Sequence, residues 1–151
     1  MPRIDTAKIA AQQIASYPKE FASVISGREK QRIGDAAGLT QFGVNITCIK
    51  AGSASALRHW HEQEDEFIYM LEGTFDLQLG EAKIQAHPGD LVRMPMGVPH
   101  AYHNNTAAPT RALFWVSPAG RLKELFDALH DLTDIEEAMR LSALHEVDFV
   151  R

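Results

Sequence analysis

The stretch His59-Trp60-His61-Glu62-Gln63-Glu64-Asp65-Glu66-Phe67-Ile68-Tyr69-Met70-Leu71-Glu72-Gly73 holds two histidines, a run of acids, an apolar segment and a turn signal. On a strand, residues two apart share a face, so His59 and His61 point one way and Trp60 the other. Two imidazoles on one face, with carboxylates just beyond, suit a divalent cation. An isolated H-x-H pair is more often solvated or core, and the acids by default form a solvated loop. The apolar run over residues 67–71 has a strand's length, far short of the ~20 residues of a membrane span.

Outward from this stretch the chain continues as strands and turns. Phe42, Val44, Ile46 and Cys48 alternate with Gly43, Asn45, Thr47 and Ile49, which predicts a strand with the first set on its apolar face. Phe75, Leu77 and Leu79 alternate with Asp76 and Gln78. Turn signals recur at Ala51-Gly52, Glu72-Gly73, Gly80-Glu81, Pro88-Gly89-Asp90 and Asn104-Asn105. Pro95-Met96-Gly97-Val98-Pro99-His100 is a turn that delivers one histidine to the start of a strand. Short strands at this spacing predict an antiparallel all-β sandwich or barrel over residues 28–116.

The two ends differ from this middle. Residues 1–27 read as an arm, either a short helix over residues 7–14 capped by Asp5 or an extended segment lying on another surface. After residue 117 the period becomes helical. Ser117 and Pro118 suit a helix start ahead of Leu122, Leu125, Phe126 and Leu129. Thr133-Asp134-Ile135-Glu136 has capping-box spacing for a second helix. Residues 117–151 are thus expected as a helical extension of the same domain.

The 151 residues are 45% hydrophobic and 23% charged, an ordinary globular composition for one domain. The net charge is −5, and no basic stripe exists to meet phosphates, which excludes nucleic acid as the expected partner. The single cysteine, Cys48, excludes an intramolecular disulfide and fits a cytoplasmic setting. Arg3, Asp5 and Lys8, with no apolar core among them, predict no secretory signal, and no membrane partner is expected.

The two histidine clusters resemble the two motifs of the cupins. Gly52, His59, His61, Glu66 and Gly73 match the first; Gly89, Pro95, Gly97, His100 and Asn104 match the second. Four residues separate His61 from Glu66, six separate Glu66 from Gly73, and fifteen separate Gly73 from Gly89. The match spans about residues 40–116. It departs at Gly52, which six residues separate from His59 where the family has five.

This resemblance implies a double-stranded β-helix, or jelly-roll barrel, with C-terminal α-helices. It implies one divalent transition metal per chain (Fe, Mn, Ni, Cu or Zn) held by His59, His61, Glu66 and His100. Three imidazoles disfavour Mg and Ca, and four ligands leave one or two positions for substrate, water or dioxygen. Glu62, Glu64 and Asp65 read as loop. The flanks, including Ser117-Pro118-Ala119-Gly120, resemble quercetinase-like single-domain cupins, which implies a dioxygenase-like enzyme, a small-molecule substrate and a homodimer. The tyrosine- and proline-rich first motif of cupin sugar-phosphate isomerases is absent. Glu66 is a candidate catalytic base. Tyr102 shares strand parity with His100 and faces the interior, as a catalytic donor or as a barrel-filling ring. His87, His103, His130 and His145 read as solvated, and Met70, Met94 and Met96 as core or pocket lining. A non-catalytic binding module and isomerase, decarboxylase or lyase chemistry use the same kind of site.

Overall fold

A computed structural model describes residues 3–13, 17, 20–129 and 132–150. Its strands are β1 (Arg28–Gln31), β2 (Gly43–Ile49), β3 (His59–His61), β4 (Asp65–Glu72), β5 (Phe75–Leu79), β6 (Ala82–Ala86), β7 (Leu91–Met94), β8 (His100–His103), β9 (Thr110–Ser117) and β10 (Val147–Phe149). The helices are α1 (Ile33–Ala37), α2 (Leu122–Ala128) and α3 (Ile135–Leu144). Two five-stranded antiparallel sheets, ordered β1-β2-β9-β4-β7 and β10-β3-β8-β5-β6, face each other as a jelly roll. No described helix is long and apolar enough to cross a membrane.

The core lies between the sheets, where alternate residues turn inward. Ile68 and Met70 of β4, Phe75 and Leu77 of β5, and Ala112, Phe114 and Val116 of β9 are buried. Leu122, Leu125 and Leu129 close one end. Gly73 turns β4 into β5 at φ +75, and a Cβ there would stand 2.5 Å from Thr110 Oγ1, so the turn needs glycine.

Strand β2 departs from the expected face. Thr47 and Ile49 are its fully buried residues, while Ile46 and Cys48 are half-buried. The reason is that β2 is covered on both sides. Its outer side holds Val44 against Gly34 of α1, and Phe42 just ahead of the strand stacks on Trp115 at 4.7 Å.

The ends bring further differences. Asp5 caps only one 3-10 turn (Thr6–Lys8), and Gln12 then pairs with Lys30 of β1, so the arm is extended there. Ile14, Pro18 and His130 lie outside the described residues. Ser117 caps no helix, because β9 still pairs there with Asp65; α2 begins only at Leu122. Asp134, not Thr133, caps α3, accepting from the Glu136 and Glu137 amides. Met96 is exposed, because it sits on the Pro95–Gly97 turn rather than on a strand face. Strand β10, which the helical reading did not contain, pairs Val147 with His61 and Phe149 with His59.

Candidate metal centre

Strands β3 and β8 run antiparallel with His59 directly across from His100. His61 follows two residues on, on the same face of β3. Glu66, the second residue of β4, comes from the facing sheet. The donor atoms of these four side chains all lie within 4.8 Å of one another, so the group can hold a metal ion. His61, Glu66 and His100 are buried and His59 half-buried.

Each imidazole is held by its Nδ1 edge. His59 Nδ1 donates to Leu57 O at 2.7 Å, His100 Nδ1 to Val98 O at 3.0 Å, and His61 Nδ1 to Glu64 Oε2 at 3.3 Å. Carbonyls and carboxylates only accept, so the proton sits on Nδ1 and Nε2 is turned toward the shared point. His61 Nε2 and His100 Nε2 stand 3.2 and 3.7 Å from Glu66 Oε2. Both nitrogens are buried without a well-aligned hydrogen bond among the described residues. Donors ~2.1 Å from one ion stand ~3–4 Å apart, so these spacings fit a divalent cation.

The electrostatics of these four side chains agree. Burial, then repulsion from His100 and His61, pushes His59 down to about 3, which leaves it a neutral donor. Burial also opposes charge on His61, but Glu64 and Glu66 overcome it and lift His61 to about 9. Burial favours the neutral acid at Glu66; contact with His100 and His61 outweighs it and keeps the carboxyl well below its usual range. The carboxylates of Glu64 and Glu66 thus favour positive charge at the point where a metal would sit.

The remaining expected residues fall nearby. Tyr102 points inward from β8, is buried with its ring 5.1 Å from Phe75, and lines the cavity beside the cluster. Burial and the Glu66 charge raise its pKa above the usual tyrosine value. Asn104 is a turn anchor, donating to Ile49 O and Ala108 O. His103 is exposed, as parity predicts. His87 is exposed too, but His145 is half-buried, its Nδ1 2.9 Å from Leu141 O.

Three contributions lie outside the motif reading. Glu64, taken as loop, is 2% exposed and fastens His61. Arg28 and Lys30 of β1 line the same cavity. Phe149 of β10 sets its ring 5.7 Å from that of His59. Glu64 stands three residues after His61 and two before Glu66, but that spacing alone does not reveal its burial. The others carry no motif.

Residues 45–116 match the family model described as "Cupin domain". A solved structure described as a sugar phosphate isomerase of the cupin superfamily, from Silicibacter pomeroyi, is 35% identical. It superposes with a TM-score of 0.73 over 77% of this chain and 75% of that one. The chain belongs to the cupin superfamily. The polyketide cyclase RemF of Streptomyces resistomycificus shares the fold at 22% identity, with a TM-score of 0.65 over 79% of this chain and 80% of that one. The tetracenomycin polyketide synthase protein TcmJ of Streptomyces glaucescens is 23% identical over 120 residues, which are 76% of this chain and 80% of that protein.

Proposed function

We propose that this cupin is a metal-dependent enzyme acting on a small oxygen-rich organic substrate, with oxygen-dependent cleavage as its reaction. The observation that carries the reading is the convergence of three locked imidazoles and the Glu66 carboxylate on one point of a buried cavity. One divalent transition metal held by His59, His61, Glu66 and His100 supplies a Lewis acid and a template for vicinal substrate oxygens, or a path for electrons to dioxygen. The chain's own groups do the rest. Tyr102, kept protonated by its raised pKa, donates a hydrogen bond that orients the substrate. Glu66 is the one carboxylate among the described residues lining the cavity, placed to take a proton from the substrate. Phe114, Leu125 and Phe149 give the cavity an apolar lining. The quercetinase-like flanks of both motifs support the oxygenase assignment.

A second reading, isomerisation at the same centre, is favoured by the description of the 35%-identical Silicibacter protein. Oxygen uptake by metal-reconstituted protein, measured against flavonols, 1,3-diketones, catechols and 2-oxo acids, decides. Substrate-dependent oxygen consumption is expected. Anaerobic turnover would replace it with isomerase, decarboxylase or lyase chemistry. Tight binding with a raised Tm and no turnover would make the protein a binding module.

The protein is further proposed to act as a homodimer. Tyr69 and Leu91 pair in register on the outer face of β4 and β7, and both are exposed, as is Leu71 beside them. Light scattering should give about twice the 16.8 kDa chain mass; the mass of one chain would overturn the dimer.

A further inference from the structure

Arg28 and Lys30 stand two residues apart on β1, so both face inward. They line the inner chamber beside the histidines, a cavity of about 70 Å³. They also line a wider groove of about 380 Å³ between β2, α1 and α2. Phe114, Leu122 and Phe126 line both spaces as well, so these five residues form the neck between them.

The Lys30 ammonium at this neck has aromatic faces and no acid. It lies 4.8 Å from the Phe114 ring centroid and 5.6 Å from that of Phe126. Among the described residues no carboxylate reaches ion-pair distance of it. Glu29, its neighbour on β1, points the other way and pairs with Lys50 at 2.6 Å. Glu66, inside the chamber, is engaged with His61 and His100. Lys30 is half-buried, and ring faces offset only part of the cost of the water its ammonium gives up. Arg28 beside it adds a second positive charge, and a divalent ion at the histidines would leave the chamber more positive still. In addition, Ser142 Oγ is buried on the chamber wall without a hydrogen-bond partner among the described residues.

We propose that Lys30, with Arg28 beside it, is the seat of an anionic group, a carboxylate or a phosphate, on the substrate. The inference rests on the reading of this chamber as a substrate site. The chamber admits only a small oxygen-bearing head. The anion sits at the neck, and an apolar or flat body lies along Phe114 and Phe126 into the groove. Lys30 is thus a specificity residue of the far wall, not a metal ligand.

The test is calorimetric binding of benzoate, phenyl phosphate and neutral benzamide to the protein as purified, with metal content measured in parallel. One anion should bind clearly more tightly than benzamide, and which one identifies the carboxylate or the phosphate as the group. Lys30→Met should weaken that anion about tenfold or more, a charge-assisted contact being lost. Lys30→Arg should retain it, and both variants should keep their metal. If Lys30→Met does not fold, protection of Lys30 from reductive methylation by the same anion, read by mass spectrometry on the unaltered protein, gives the answer. Equal binding of anions and benzamide, or an anion that neither depends on nor protects Lys30, overturns the proposal. Loss of the metal reading would show instead as absent metal with anion binding intact.

Discussion

The chamber has two walls built on different principles. The histidine wall is made of β3, β8 and the start of β4, all from the middle of the chain, and each imidazole is held by a second contact behind it. The far wall is made of β1, α2 and α3, from the two ends of the chain, and presents cations and apolar side chains, while β10 extends the histidine sheet beside β3. A wall that can hold a metal, and nothing more specific, suits many chemistries. On the proposed reading, the second wall sets this chain's choice of substrate. Variants on one wall should therefore change metal loading, and variants on the other should change ligand choice with the metal retained.

The largest effect is expected from the double variant His61→Ala/His100→Ala. Two of four donors vanish, and elemental analysis should find the metal essentially absent, with turnover lost. Full occupancy in that variant would break the comparison outright, since the metal would then sit elsewhere. Next in size is Glu64→Gln, which replaces a carboxylate acceptor behind His61 with an amide. Loss of such a partner typically costs ~10–100-fold in metal affinity, to be read by competition with a chelator. An unchanged affinity would show that burial alone holds His61 in place.

How much of this was legible differs between the walls for the same reason. His59 and His61 announce themselves because a two-residue spacing means one face of a strand, and His100 because a proline–glycine turn precedes it. Glu66 stands out among four acids by its spacing alone. Glu64 does not, because its burial depends on Gly120, a residue of the β9–α2 loop far along the chain. Strand β1 reads Arg-Glu-Lys-Gln, with no apolar alternation to say which residues turn inward. Three residues of β10 are too few for any period to be seen, and their partner strand is itself only three long. Local pattern reveals faces and turns; which distant segments close a cavity is decided by packing between the chain's ends.

A smaller effect concerns pH on the far wall. Burial, then repulsion from Arg28, lowers Lys30 to about 7, with Glu66 opposing and Arg32 adding to the shift. Phe114 of β9 and Phe126 of α2, packed against it, bring no charge, while Asp35 of α1 and Lys123 and Glu124 of α2 line the same groove. Below pH 7 the ammonium is charged and available to an anion. Above it the charge is lost, so the affinity for benzoate, which stays ionised throughout, should fall as pH rises from 6.5 to 8.5. The fall is at most about tenfold per pH unit. Calorimetry at several pH values checks this. A flat profile would mean that Arg28 carries the anion alone, and the pH dependence should be missing in Lys30→Arg.

The smallest predicted change lies where the two walls touch. Gly120 adopts φ +49, and a Cβ there would stand 2.8 Å from Glu64 Oε1. That oxygen belongs to the carboxylate that fastens His61. Gly120→Ala therefore combines two costs. The left-handed backbone disfavours alanine by ~1 kcal/mol, and the new methyl must push the Glu64 carboxylate aside. The carboxylate must shift, and its movement is limited because its second oxygen holds the imidazole. The expected result is a small drop in Tm with metal affinity weakened several-fold, less than in Glu64→Gln, and with the benzoate preference unchanged. If metal affinity were untouched while Tm fell, the loop after β9 would be only a lid over Glu64. If ligand choice changed instead, the division of labour between the walls would be wrong at the one place where they meet.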